Sequence, residues 1–271
     1  MTNRFWLSLL LLTCYSPLWA QSFATPTRFC LTSDSVPVVK LSKEELLGKI
    51  KPAQDSGFAL ISPTYSTDTL DIYLRVLAYQ AFVRMAQAAQ EVGVSLKVKS
   101  ATRSFAVQRW IWESKWNGRR KVGGQNLKNT IPDPKQRALR ILEYSAMPGT
   151  SRHHWGTDID LNALNNNYFA SGEGQKVYAW LVAHAETYGF CQVYTEQGED
   201  RPDGYHEEKW HWSYLPLAQQ FLWQYNEQIS YADIGGFEGS LVAEEIGAIE
   251  KYVNGIAPRC QARPTDEPPS N

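Results

Sequence analysis

Past its first twenty positions this 271-residue sequence lacks any long apolar run. Nothing there approaches the length of a membrane-spanning helix, so the mature chain has no candidate membrane span. Charge of one sign is lacking too: the balance of −1 gives no argument for nucleic acid or an anionic membrane surface as partner. Cysteine is scarce. Beyond position 20 only Cys30, Cys191 and Cys260 remain, and three thiols cannot all pair internally. Internal repeats and low-complexity tracts are absent. So is the regular strand–helix alternation of a parallel sheet, and the intermixed helices and strands predict an α+β fold.

The apolar run that does exist is N-terminal. "MTNRFWLSLLLLTCYSPLWA" has a basic Arg4, an apolar stretch from Phe5 to Leu12 and a cut site after Ala20. That layout is a secretory signal peptide and predicts export, to the periplasm or the cell wall. Cys14 in "LLTC" loosely fits a lipid-attachment box, but Thr13 before it fits poorly, and plain cleavage is the better reading.

The expected organisation is a leader (1–20), an irregular N-terminal extension (21–66), a central domain (67–225), a helical C-terminal extension (226–260) and a disordered tail (261–271). Leu70, Leu74, Leu77, Ala81 and Met85 form a helical stripe that predicts a helix from Asp68 to Val92, stopped by Gly93. "VSLKV" alternates as a half-buried strand. A helix then starts near Ser104, residues 117–132 form a loop, and Asp133-Pro134 opens a helix through Tyr144. A further helix spans Gly174 to Tyr188, with His184 on its apolar stripe as a core histidine. Strands are expected at "FCQVY" and "KWHWSY", and Pro216 opens a last helix. Cys30 and Cys260 lie near opposite ends beside loop-like sequence and are expected to pair, leaving Cys191 a buried thiol.

Chemistry concentrates in two segments. In "SRHHWGTDIDLN", Asp158 and Asp160 share a face if the segment is extended, whereas the adjacent His153 and His154 must point apart. Only one of these histidines can easily join a carboxylate at a metal, and spacing alone does not choose it. In "HEEKWHWSY", His211 lies between Trp210 and Trp212, with Glu208 three residues before it. Catalytic zinc needs three protein ligands and an open position. Two histidines, an aspartate and a nearby glutamate therefore suggest metal-assisted hydrolysis.

"S-R-H-H-W-G-T-D-I-D" and "E-K-W-H-W" resemble the two motifs of the VanY-type D-alanyl-D-alanine carboxypeptidases, a family grouped with lysostaphin-like peptidases and the hedgehog signalling domain. Ser151, His153, Gly156 and Asp160 fit the first motif, and Glu208, Trp210 and His211 the second. "T-R-S-F-A-V-Q" matches a third feature, an arginine before a serine with glutamine five positions later. The resemblance covers residues 70–215. It implies a small antiparallel sheet holding one Zn2+ per chain, with His153, Asp160 and His211 as ligands and Glu208 as general base. Arg103 would steady the substrate and the developing oxyanion, with Gln108 and Ser151 as further substrate contacts.

The departure from the pattern is Asp158, which stands where the family has alanine. It is read as a carboxylate supporting a ligand histidine, with the alternative that it is itself a ligand. The implied reaction is release of the terminal D-alanine from a peptidoglycan stem peptide by attack of a zinc-bound water, in a chain read as a monomer. An L,D-carboxypeptidase, a dipeptidase or a cross-link endopeptidase could use the same site. A non-catalytic wall-binding module on the same fold would have no need for Glu208.

Overall fold

The computed structural model describes residues 36–67 and 70–261; the expected leader, Cys14, Cys30 and all but the first residue of the expected tail lie outside them. Helix α1 (Lys43–Leu46) opens on a capping box in which Ser42 and Glu45 satisfy each other's backbone N–H groups. Strand β1 (Phe58–Leu60) pairs antiparallel with β2 (Tyr73–Arg75), which runs directly into α2 (Val76–Glu91). Then come β3 (Val98–Ser100), α3 (Phe105–Trp116), α4 (Leu127–Thr130), α5 (Pro134–Leu142), β4 (Asp158–Leu161) and α6 (Gly172–His184). The described chain closes with β5 (Phe190–Gln192), β6 (His211–Tyr214), α7 (Leu215–Gln228), α8 (Ala243–Ile246) and α9 (Pro258–Gln261). The expected α+β class is what the structure has.

The second sheet positions the site. Its order is β3-β4-β6-β5, all antiparallel, with Asp158 opposite Ser213, Ile159 opposite Trp212 and Asp160 opposite His211. Strand periodicity then sorts the two faces. Ile159, Leu161, Trp212 and Tyr214 point into the apolar core, while Asp158, Asp160, His211 and Ser213 share the other face. A one-residue slip of β6 would exchange Trp212 for His211, so the apolar face itself holds the polar register.

Several expected boundaries move. The helix expected from Asp68 begins at Val76, because Leu74 is taken by the β1–β2 pairing and Leu70 is largely exposed. "VSLKV" buries Val94, Leu96 and Val98 as its alternation implies, yet only Val98–Ser100 pairs with β4. The 117–132 loop contains α4. Ser104 and Asp133 cap α3 and α5 as read, but α5 stops at Leu142, two residues short of the expected end. His184 is exposed at the end of α6, its ring 5.0 Å from Trp180, and is no core histidine.

The expected Cys30–Cys260 disulfide is overturned. Cys260 is bonded to Cys191, with Cα atoms 6.0 Å apart, because the C-terminal extension folds back and seats α9 against β5. Ala257 N donates to Val193 O at the same seam. The thiol expected to stay free therefore ties the last described helix to the edge of the four-stranded sheet. The bond closes a loop spanning 69 positions. Cys260→Ser is expected to lower unfolding stability by about 2–4 kcal/mol, read as a lower urea midpoint. Identical midpoints for oxidised and reduced wild-type protein would sink this pairing.

Candidate metal centre and active site

The motif segment begins as a 3-10 turn, Arg152–Trp155, that ends at Gly156 with φ of 71°. A side chain is excluded there: a Cβ would lie 2.4 Å from the Phe58 ring and 3.1 Å from Arg75. Arg75, at the end of β2, clamps the turn by donating from Nε to Trp155 O (2.8 Å) and from its backbone N–H to Gly156 O (2.9 Å). The tight turn sends its two histidines apart, as adjacency required.

His154 points away from the metal cluster. Gly149 N donates to its Nε2 at 3.0 Å, so the proton sits on Nδ1, which donates to Arg103 O at 2.7 Å. Burial lowers its pKa to about 3, with the Arg103 carbonyl opposing the shift. It is a neutral strut holding the backbone of Arg103.

His153 donates from Nδ1 to Ala101 O at 2.7 Å, which leaves the Nε2 lone pair free. That Nε2 is buried without a hydrogen-bond partner, and so is Asp160 Oδ1, 3.4 Å away. His211 Nδ1 lies 3.4 Å from the same Asp160 oxygen. One donor atom from each of His153, Asp160 and His211 falls within 4.8 Å of the others. Two orphaned buried polar atoms facing a third donor are a cost to the fold unless something binds them. The His₂Asp set, with the far ring nitrogen of each histidine held by Ala101 O or Asp158, fits zinc.

Asp158 is placed behind His211. Its Oδ2 accepts from His211 Nε2 at 2.8 Å and from Arg152 Nε at 3.1 Å, while its Oδ1 accepts from Thr157 Oγ1 and Ser213 Oγ, both at 2.7 Å. Arg152 also donates to Ser213 Oγ at 2.8 Å and lies over the Trp155 ring. Burial opposes ionisation of Asp158, yet Arg152 and His211 hold its carboxyl far below the usual range. With all its lone pairs directed at these donors, Asp158 supports His211 and has none to spare for a metal. His211 in turn is held at about 9: burial opposes the charge, and Asp158, Glu208 and Asp160 outweigh it.

Glu208 stands at the turn before β6, its N–H bonded to Tyr194 O and its Oε2 3.2 Å from His211 Nδ1. Burial raises its pKa, with His211 opposing. Arg103 lies at the end of the segment after β3, 3.7 Å from Asp160 Oδ2, and donates to Gln108 Oε1 at 3.1 Å. Gln108 is fully buried and donates onward to Ala146 O, so it braces Arg103 and lines neither cavity described next.

Two cavities meet at Arg103, Tyr144 and Glu208. A large one of about 640 Å³ also reaches Asp160, Lys115 and Trp210. A narrow one of about 20 Å³ is walled by Ser151, His153, Tyr194, Tyr205 and His211. Ser151 makes no capping bond and lines the narrow cavity.

Residues 71–217, more than half of the chain, match the profile of the VanY family, D-alanyl-D-alanine carboxypeptidases. The chain belongs to that family. It is also 33% identical over 112 residues to an uncharacterized protein of Haemophilus influenzae, covering 40% of this chain and 72% of the relative. Among solved structures it is similar to the LdcB LD-carboxypeptidase (21% identity, 73% of this chain and 79% of that one, TM-score 0.46). A zinc complex of a vancomycin-resistance D,D-pentapeptidase VanY mutant is 22% identical, over 61% of this chain and 88% of that one, with a TM-score of 0.43.

Arg152, Thr157 and Ser213, which saturate Asp158, and Tyr194, whose ring lies edge-on to His211 at 4.7 Å, belong to none of the sequence motifs' candidate residues. One signal was present. An acid replacing the VanY-family alanine in a buried strand requires a nearby cation, and Arg152 is six residues upstream.

Two outcomes test this account of the site. Asp158→Ala would strand the Arg152 guanidinium and is expected to cost about 3–5 kcal/mol, whereas Arg152→Met combined with Asp158→Ala recovers a large part of it. Equal urea midpoints for the single and double variants would refute the pairing. His154 has a folded pKa of about 3 against 6.5 when unconstrained. Between those values the unfolded chain binds a proton that the folded chain refuses, so this stabilisation is complete above pH 6.5 and is lost as pH falls toward 3. Its slope reaches about 1.4 kcal/mol per pH unit. His154→Gln should flatten the acid limb of a stability-against-pH curve, and an unchanged limb would contradict the neutral strut.

Proposed function

We propose that the chain is an exported zinc peptidase, one Zn2+ per monomer, that releases the terminal D-alanine from peptidoglycan stem peptides. The observation that carries this reading is the orphaned donor set of His153, Asp160 and His211 with Glu208 beside it, opening on a cavity large enough for a peptide. The family match supports the same chemistry.

Zinc held by His153 Nε2, Asp160 Oδ1 and His211 Nδ1 would lower the pKa of a water and polarise the scissile carbonyl. Glu208 accepts the proton from the attacking water and delivers it to the leaving amine. Its buried position, which raises its pKa, suits both directions of transfer. Arg103 has a buried Nε without a partner and is braced by Gln108, so its guanidinium is available to a carbonyl oxygen or a terminal carboxylate. Asp158 keeps the imidazole of His211 turned with Nδ1 toward the ligand cluster. Exclusion of bulk water falls to Tyr194, Tyr205 and Trp210, all buried.

The narrow cavity walled by Ser151 and Tyr205 suits a leaving residue with a methyl side chain, and the larger one suits the peptide that remains. This favours trimming of one small terminal residue over cutting a cross-link. Incubation of the mature protein with a stem pentapeptide, followed by mass, should show loss of one alanine. The same peptide already shortened to a tetrapeptide reports the L,D alternative. Glu208→Gln is expected to lower kcat by about 10²–10⁴-fold while retaining bound zinc by elemental analysis. Cleavage that survives a chelator would overturn the zinc reading.

A further inference from the structure

Away from the metal end, the charged side chains of the large cavity are all of one sign. Its two carboxylates, Asp160 and Glu208, belong to the centre just described, and the charged groups left over are Arg103, Lys115 and Arg120. Arg103 is already assigned to the scissile end of the substrate. Lys115 and Arg120 are not used there.

The fold brings these two cations together. Lys115 is in the last turn of α3, ten residues beyond Phe105 and so about 15 Å along the helix from the end that holds Arg103. Gly118, at φ of 73°, reverses the chain, and Arg120 N donates to Ser114 O at 2.8 Å, folding Arg120 back over the helix end. Lys115 Nζ donates to Ser145 Oγ, and the Arg120 guanidinium lies 5.9 Å from the Trp110 ring centre. Among the described residues neither has a carboxylate partner within ion-pair distance. Lys115 is half-buried, and burial lowers its pKa to about 8, with Arg120 and Arg103 adding to the shift and Glu208 opposing. A desolvated ammonium beside a second uncompensated cation gains most from an anion.

We propose that Lys115 and Arg120 form a carboxylate subsite that takes an acidic group on the part of the peptide left behind after cleavage. This rests on the peptidase reading above and specifies the substrate: a peptide with a free carboxylate a few residues before the scissile bond. The 15 Å offset along the helix corresponds to about four extended residues, fewer once the reach of both side chains is counted. Two sources in a stem peptide share this chemistry, a second carboxylate on a diamino-diacid residue and the free α-carboxylate of a γ-linked glutamate.

The test uses synthetic peptides with the same D-alanyl-D-alanine end. One pair differs only in lysine against diaminopimelate, the other only in a free against an amidated glutamate α-carboxylate. Wild-type protein is expected to show a KM about tenfold lower for the carboxylate-bearing member of one pair, which identifies the source. Lys115→Met and Arg120→Met should each shrink that ratio. Arg120 is exposed, so its variant tests the subsite even if Lys115→Met does not fold. Variants that slow both members of a pair equally, or wild-type protein indifferent to both pairs, would overturn the subsite. The same peptides titrated calorimetrically into Glu208→Gln protein give a readout independent of turnover. If no peptide is cleaved but Kd still tracks the carboxylate and Lys115, the subsite stands and the reaction assignment fails. Cleavage without carboxylate preference has the opposite meaning.

Discussion

The carboxylate of Asp158 is the point on which the site's geometry depends. Four donors converge on it from three directions in the chain: Arg152 in the turn, Thr157 next door, and Ser213 and His211 on β6. A buried carboxylate in such a setting has one stable arrangement, because losing any donor leaves an unpaired charge or lone pair in low dielectric. The imidazole of His211 is one of the four. Its ring plane and the nitrogen it turns toward His153 and Asp160 are therefore set largely by residues outside that cluster. This rigidity has a thermodynamic cost, since an apolar cluster of equal volume would be cheaper to bury. Apolar residues at both 152 and 158 would avoid that cost, so the ion pair is better explained by orientation of His211 than by stability.

The rest of the molecule holds that arrangement in place. The β4–β6 register puts Asp158 against Ser213 and Asp160 against His211, and is itself secured by Ile159 and Trp212 on the opposite face. The turn carrying Arg152 and His153 is pinned by Arg75, by Phe58 packed against Gly156, and by a hydrogen bond from Trp155 Nε1 to Leu46 O. Residues of the described N-terminal segment thus fix the turn that delivers one candidate ligand. At the far edge, the Cys191–Cys260 bond ties the C-terminal extension to β5, next to the strand that delivers another.

What the sequence disclosed divides along physical lines. His153, Asp160 and His211 were singled out through the motif resemblance, since spacing alone left His153 and His154 open, and the fold brings one donor atom of each together; the motif residues also carry the glycine that the turn requires. Helix starts at Ser104 and Asp133 were legible because capping is local chemistry. The start of α2 was not, since the same Leu74 satisfies a helical stripe and a strand pair, and only β1, arriving from fifteen residues upstream, decides between them. The disulfide partner was equally hidden. Cys191 in an apolar strand looks inert until the chain's end folds back onto it.

Arg152 shows where such reading stops and why. Between Ser151 and His153 it looks like a variable motif position, and alone it would be taken as exposed. Its burial follows from Asp158, and Asp158 would be untenable without it. Each residue makes sense only through the other, six positions apart and on different elements. Residue-by-residue comparison with a motif registers Asp158 as a departure and Arg152 as unconstrained. Charge balance in the buried strand joins them into one substitution of alanine by an ion pair. The same balance distinguishes the cations of the large cavity. Arg103 lies at ion-pair distance from Asp160, whereas among the described residues Lys115 and Arg120 have no carboxylate that close, so the buried centre is matched within the chain and the groove leading from it is not.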